Sequence, residues 1–158
     1  MSERVTNIII AGLGGQGVLT ASAIVSELAF RAGFDVKQSE LHGMSQRGGS
    51  VSSDIRFGRE VFSPMVPTGA ADYLVVVAPD QVEVNRYQLR PGGVLVEPGA
   101  VDAAELINKK SSNVALLGIL SRHLDFSEAA WLEVIAAVFP EKLLAANLQA
   151  FALGRERA

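Results

Sequence analysis

The sequence contains no cysteine and few charged residues. None of its 158 residues is a cysteine, and 20% are charged. The chain therefore provides no disulfide, no thiolate zinc site, no cysteine nucleophile and no cysteine-ligated iron–sulfur cluster. Absence of cysteine is typical of proteins in reducing compartments, so we predict a cytoplasmic location.

Long apolar runs and an excess of basic residues are also missing. No apolar run approaches the roughly 18 residues that span a bilayer, and the polar start MSERVTN predicts no signal peptide. The net charge is −3 and no basic stripe is present, so we do not expect nucleic acid to bind. His42 and His123 are the only histidines. Two distant histidines do not form a metal centre, so no metal site is predicted.

The apolar pattern predicts an α/β fold in a single domain over residues 1–158. Apolar segments predict strands at 5–11, 34–40, 51–57, 73–78 and 94–98, with 61–64 returning as the second arm of a hairpin. Helical spacing predicts helices over 17–33, 79–90, 102–110, 113–124, 127–139 and 140–154. Ser127 is the expected N-cap of its helix and Gly154 the expected end of the last one. We predict a Rossmann-like, mainly parallel sheet with an antiparallel hairpin extension and C-terminal helices.

A glycine-rich turn follows the first predicted strand. GLGGQG, residues 12–17, fits G-x-G-x-x-G between a strand and a helix. Glycines allow a tight turn and close approach to an anion, and a helix N-terminus offers free N–H groups to a phosphate. We therefore predict anion binding by Gly12, Gly14, Gly15, Gln16 and Gly17, with the Gln16 amide as an added donor. The alternative is that these glycines only form a tight turn.

A second unusual segment follows the second predicted strand. SELHGMSQRGGSV, residues 39–51, stands where a dinucleotide-binding fold carries an acid that holds a ribose. Glu40 lies at the expected strand end, but a loop with one arginine and several glycines follows it. Arg47 beside Gly48 and Gly49 can present a planar guanidinium to phosphate or carboxylate, so we predict that these three residues contact a ligand or a partner subunit. A surface arginine that anchors its own loop is the alternative.

The two segments together resemble one protein family. GLGGQGVLTAS, SELHGMSQRGGSV, SSDIRFG and the tail NLQAFALG are similar to the small subunits of 2-oxoacid:ferredoxin oxidoreductases. The greatest similarity is to the beta subunit of the indolepyruvate type; the gamma subunits of the pyruvate type are also similar. The resemblance extends over nearly the whole chain.

The resemblance implies a subunit of a larger enzyme. Such enzymes oxidatively decarboxylate a 2-oxoacid on thiamine diphosphate, pass electrons through 4Fe–4S clusters to ferredoxin, and release an acyl-CoA. Thiamine diphosphate, Mg and the clusters are expected on a large partner subunit. The chain is expected to bind no cofactor alone, to be inactive in isolation, and to pack near the active site with coenzyme A at the interface. Ferredoxin is then an indirect partner, and a homodimer of the isolated chain stays open.

Further residues are predicted to contact the partner or their own loop: Glu40, His42, Met44, Gln46 and Asn147. No residue is predicted to be catalytic. Asn147 lies between apolar residues on one helical face, and a buried amide needs hydrogen-bond partners. We expect it to tie its helix to a neighbouring loop.

Two other functions stay open. The glycine turn also fits a free-standing NAD(P)- or flavin-binding protein, and both loops would equally serve a purely structural subunit. The stretch 99–113 is shorter than the resemblance implies, which leaves a sixth strand open.

Overall fold

The computed structural model describes residues 4–42 and 49–158. Five strands lie within these ranges: β1 Thr6–Leu13, β2 Asp35–His42, β3 Ser50–Gly58, β4 Ala71–Val76 and β5 Leu89–Val96. Five α-helices accompany them: α1 Val18–Arg31, α2 Val82–Asn85, α3 Ser112–Ser121, α4 Glu128–Val138 and α5 Glu141–Arg157. Short 3₁₀ turns flank α2 and precede α3. The predicted α/β class is confirmed, and Ser127 caps α4 as predicted by accepting a hydrogen bond from the backbone N–H of Ala130.

The five strands form one mixed sheet in the order β2-β3-β1-β4-β5. β4 pairs in parallel with both β1 and β5. β3 is antiparallel to both of its neighbours, β1 and β2. Four strands therefore point the same way, and β3 alone is reversed. The antiparallel hairpin consists of β2 and β3.

The predicted return strand at 61–64 is wrong. The backbone N–H of Val61 donates to Oδ2 of Asp35 at 2.8 Å, and that of Val66 donates to Oδ2 of Asp54 at 2.9 Å. Arg56 donates to the carbonyl oxygen of Ser63 at 2.8 Å. Because side chains from β2 and β3 bind these backbone groups, the segment lies as a loop on the sheet and does not pair as a strand.

Two predicted helices are reduced to short turns. Residues 79–90 contain one four-residue helix between 3₁₀ turns, because β5 begins already at Leu89 to pair with Ala71 of β4. Residues 102–110 contain two separate 3₁₀ turns. There Asp102 and Asn108 accept hydrogen bonds from the N–H groups two residues ahead, which favours turns over a continuous helix.

The prediction that Gly154 ends the last helix is wrong. α5 continues to Arg157, and Gly154 packs against the α3 backbone. A β-carbon at Gly154 would collide with the carbonyl oxygen of Ala115, and one at Gly118 with that of Phe151. Both glycines are therefore required by the close approach of two helices. α3 is buried from Asn113 to Ser121, which explains its apolar sequence.

The two faces of the sheet are covered unequally. α1, α3, α4 and α5 contribute to a large core on one face, which contains Trp131 and Phe151. The core on the other face is small, and the cover there comes from the 59–70 loop and the short turns of 79–88. Its buried members are Ile9, Val66, Ala71, Leu74, Val76 and Val82. Among the described residues, no helix has the length and apolar character needed to cross a bilayer.

Candidate functional site

The predicted glycine turn joins β1 to α1. Gly15 and Gly17 have φ values of 89° and 77°, in the left-handed region that favours glycine. Gly17 is the N-cap residue of α1, and its carbonyl oxygen accepts the first helical hydrogen bond, from Ala21. The N-terminal N–H groups of a 14-residue helix are thus presented at the end of β1.

Gln16 and Gly12 fix the shape of this turn. Oε1 of Gln16 accepts the backbone N–H of Leu13 at 2.7 Å. A β-carbon at Gly12 would lie 2.9 Å from that oxygen and 3.0 Å from a methyl group of Val18. Gly12 therefore makes room for the Gln16 side chain. The amide oxygen of Gln16 holds the turn, so a ligand contact from Gln16 would fall to its nitrogen.

Asn113 is a structural part of the turn that sequence reasoning missed. Its Nδ2 donates to the carbonyl oxygen of Gly17 at 3.0 Å, and the residue is buried. A β-carbon at Gly17 would collide with this amide. The only sequence signal was an asparagine at the start of an otherwise apolar helix, and no local pattern linked it to the turn.

The turn and the ends of the β2–β3 hairpin border one cavity. The backbone N–H of Gly14 donates to the carbonyl oxygen of Gly49 at 2.8 Å, which ties the turn to the start of β3. The cavity has a volume of about 270 Å³. We call it the glycine cavity, and its lining comprises Leu13, Gly14, Gly15, Gly17, Val18, Leu19, Thr20, His42, Gly49, Ser50 and Val51.

The charge around the glycine cavity favours an anion. Among the described residues that line it, none is an aspartate or a glutamate, and the first turn of α1 carries no acidic side chain. The helix dipole places partial positive charge at that end. Hydroxyl groups of Thr20 and Ser50 and the imidazole of His42 add hydrogen-bonding capacity.

A buried polar pair joins α1, the helix that follows the turn, to β3. The hydroxyl groups of Ser22 on α1 and Ser53 on β3 share a hydrogen bond at 2.6 Å, and both residues are fully buried. Nε2 of Gln38 on β2 also contacts the Ser53 hydroxyl, at 3.4 Å. The pair fixes α1 against the hairpin, and sequence reasoning did not identify it.

The other predicted site residues do not come together at one place in the described part of the chain. Glu40 is exposed on β2 and accepts a hydrogen bond from Gln38 at 3.3 Å. Asn147 is buried on α5, where its amide donates to the carbonyl oxygen of Leu143 in the same helix, and it does not line the glycine cavity. Four predicted residues lie outside the described ranges: Met44, Gln46, Arg47 and Gly48. Among the described residues, no group of three histidines or acids could hold a metal ion.

These features define an α/β domain with a Rossmann-like glycine turn that opens onto an anion-compatible cavity. The family description "Pyruvate ferredoxin/flavodoxin oxidoreductase" matches residues 7–102 and 99–157. The chain belongs to this family.

Similarity to known proteins extends over most of this chain. The indolepyruvate oxidoreductase subunit IorB of Thermococcus kodakarensis is 37% identical, and the match covers 96% of this chain and 95% of that protein. The Pyrococcus horikoshii IorB is 35% identical with the same coverage. In structure, the chain is similar to the 2-oxoglutarate:ferredoxin oxidoreductase of Magnetococcus marinus, solved with 2-oxoglutarate, coenzyme A and succinyl-CoA bound. That similarity has a TM-score of 0.84 at 23% identity and covers 99% of this chain but 31% of the other.

The alignment with an IorB protein is longer than this chain and therefore contains gaps. The alignment with the T. kodakarensis protein spans 194 positions, against 158 residues here. The two family matches meet at residues 99–102, directly after β5. No sixth strand follows β5 in the described part of the chain, in line with the shortness of 99–113 noted from the sequence.

Proposed function

We propose that this chain is the small subunit of a 2-oxoacid:ferredoxin oxidoreductase of the indolepyruvate type. The observation that carries the proposal is the similarity to indolepyruvate oxidoreductase subunits along nearly the full length of both proteins. The reaction of the assembled enzyme is oxidative decarboxylation of the 2-oxoacid to an acyl-CoA, with the electrons passed to ferredoxin.

In this proposal a larger partner subunit holds the redox and decarboxylation cofactors. Thiamine diphosphate with Mg supplies decarboxylation chemistry there, and 4Fe–4S clusters carry the electrons. Iron–sulfur clusters need thiolate ligands in nearly all cases, and this chain has no cysteine. The cluster ligands must therefore come from the partner.

The contribution of this chain is the glycine cavity, which we propose binds a phosphate group of coenzyme A. Three properties support this assignment: N–H groups at the start of α1, no carboxylate among the described lining residues, and nearby hydroxyl groups on Thr20 and Ser50. Helix N-termini with glycine-rich turns are common phosphate sites. The similar M. marinus structure also contains coenzyme A. The sequence-based prediction for Arg47 and Gly48 agrees with this role, because they directly precede Gly49.

The experiment is isolation of the native complex followed by an activity assay. The tagged chain is purified from its own organism, and the bound partner is identified by mass spectrometry. We expect a large, cysteine-rich, thiamine-dependent subunit. The purified complex should reduce ferredoxin only when a 2-oxoacid and coenzyme A are both present, with indolepyruvate preferred over pyruvate and 2-oxoglutarate.

The competing function is a free-standing nucleotide-binding protein, and calorimetry separates the two. The isolated chain is titrated with NAD, NADP and flavin nucleotides. Tight binding of any of them without a partner, together with failure to recover a large subunit, would contradict the subunit assignment.

A further inference from the structure

A cleft of about 250 Å³ lies on the thinly covered face of the sheet. We call it the apolar cleft. It lies between the adjacent ends of β2 and β3 and the turns of residues 81–87, and its described lining comprises Leu41, His42, Ser50, Val51, Ser52, Gln81, Val84, Asn85 and Tyr87. β2 is at the edge of the described sheet, so no strand lies beyond Leu41 on that side.

Three large apolar side chains converge on this cleft and are exposed to solvent. Leu41 is 71% exposed, Val84 60% and Tyr87 63%. Phe62 and Met65 are exposed as well, but they belong to the 59–70 loop and do not line the cleft. Isolated exposed apolar residues are ordinary, but several around one concave surface mark an interaction site.

The chemistry of the apolar cleft indicates what kind of partner it takes. Among the described residues that line it, none is an aspartate, glutamate, lysine or arginine. Its polar groups are hydroxyls, side-chain amides and one imidazole, which suit the polar rim of a protein interface. A phosphate or carboxylate ligand would find no lysine or arginine among these described residues. The fitting occupant is an apolar protein segment.

The similarity to longer proteins identifies the source of that segment. In the M. marinus oxidoreductase the matched fold makes up 31% of the chain, so more than two thirds of that polypeptide lies outside it. In the IorB proteins the same fold is nearly the whole subunit. On the proposed function, we expect polypeptide that is covalently attached in the M. marinus chain to associate with this chain as a separate subunit.

We propose that the larger oxidoreductase subunit docks in the apolar cleft by covering Leu41, Val84 and Tyr87 with an apolar segment. This inference rests on the proposed function and adds the place of contact. His42, Ser50 and Val51 line both the apolar cleft and the glycine cavity. A segment docked in the cleft therefore forms an outer wall next to the glycine cavity, and assembly of the subunits completes the proposed coenzyme A site.

The test compares exposed apolar residues inside and outside the cleft. Leu41→Ser and Tyr87→Ser are the cleft variants. Phe30→Ser and Ile107→Ser are matched controls, because these residues are 67% and 69% exposed and do not line the cleft. Each variant is co-expressed with the large subunit from the same genome, and the dissociation constant of the purified complex is measured. We expect each cleft variant to weaken binding by about tenfold or more, the scale of an interface hot spot, and the controls to change it by less than about twofold.

Two further measurements do not depend on the variants. The dissociation constant for docking through an apolar cleft should change little between low and high salt, because salt does not screen the burial of apolar surface. Hydrogen exchange on the wild-type chain should slow at residues 39–42 and 82–87 when the large subunit is added. Unchanged exchange in both segments within a formed complex would overturn the docking site.

The outcomes separate this proposal from the function on which it rests. A wild-type chain that binds no large subunit contradicts both. A wild-type complex that all four variants form equally well contradicts only the docking site. Self-association of the isolated chain that Leu41→Ser and Tyr87→Ser abolish, with subunit binding intact, would assign the cleft to a second copy of the chain and overturn the proposal.

Discussion

The Asn113 amide donates a hydrogen bond to the Gly17 carbonyl oxygen at 3.0 Å, across 96 positions of sequence. This contact joins the start of α3 to the N-cap residue of α1 and so fixes the last residue of the glycine turn. The same amide occupies the space in which a side chain at Gly17 would lie. The shape of the turn therefore depends on a residue far outside the glycine motif.

Substitutions at Gly15 and Gly17 should differ in their cost. Both glycines have positive φ, so alanine at either position costs about 1 kcal/mol of unfolding free energy from backbone strain. Gly15 has no heavy atom within 4 Å of an added β-carbon, so Gly15→Ala should cost no more than that. Gly17→Ala should cost more, because it also displaces Asn113. Chemical denaturation measures both.

The double variant Gly17→Ala/Asn113→Ala tests the contact itself. Asn113→Ala alone should cost about 1 kcal/mol through the lost hydrogen bond. In the double variant the collision is absent, so the combined cost should be smaller than the sum of the single costs. Strictly additive costs would show that the two residues do not interact. Asn147→Ala is the matched control, because it removes a buried asparagine that bonds within its own helix.

Gly154→Ala should destabilise the chain although alanine normally favours a helix. In an exposed helix this substitution gains roughly 1 kcal/mol. Here the new methyl group would meet the Ala115 carbonyl on α3, and overpacking of this kind costs about 1–3 kcal/mol. A lower thermal midpoint would confirm that Gly154 packs between helices. A higher midpoint would show that α3 and α5 can move apart freely.

Two aspartates that hold the 59–70 loop should affect stability with opposite pH dependence. Burial raises the pKa of Asp54 above 3.8, although the Val66 N–H and Arg56 act against the shift. The folded state then binds its proton more tightly than the unfolded state. The stability linked to this proton is present below about pH 4 and is lost as pH rises through the folded pKa. Asp54→Asn should therefore stabilise the chain at neutral pH more than at acidic pH.

Asp35 provides the contrast. Its hydrogen bonds to Lys37 and to the Val61 N–H lower its pKa below 3.8. That contribution is present above the unfolded pKa and is lost as pH falls through the folded pKa. Asp35→Asn should destabilise at neutral pH and have little effect in strong acid. Unfolding free energies measured from pH 3 to pH 7 would refute both assignments if the two variants showed the same slope as the wild type.

Local patterns predicted the elements that local chemistry determines. The apolar runs predicted β1 and β4, the glycine turn and helical spacing predicted α1, and Ser127 predicted the start of α4. Apolar and polar residues alternate along much of β3, and Val51, Ser53, Ile55 and Phe57 lie on its buried face. These features repeat within a few residues and need no knowledge of distant contacts.

Features that depend on distant partners could not be predicted. Residues 61–64 form a loop because Asp35 and Asp54 bind the backbone of 61 and 66. Residue 154 is a glycine in the interior of a helix because the Ala115 carbonyl oxygen on another helix leaves no space for a side chain. Asn113 reaches a turn 96 residues earlier. The role of Arg47 stays a prediction from the sequence.

A single charge placed in the glycine cavity is the most direct test of the proposed coenzyme A phosphate site. Thr20 lines the cavity in the first turn of α1. Thr20→Asp adds a negative charge there. Thr20→Asn is the neutral control, because asparagine has nearly the same shape as aspartate. In the reconstituted enzyme we expect the aspartate variant to raise the KM for coenzyme A by about tenfold or more through charge repulsion, and the asparagine variant to change it by less than about threefold. Equal KM values for the two variants, in complexes that assemble normally, would contradict the account.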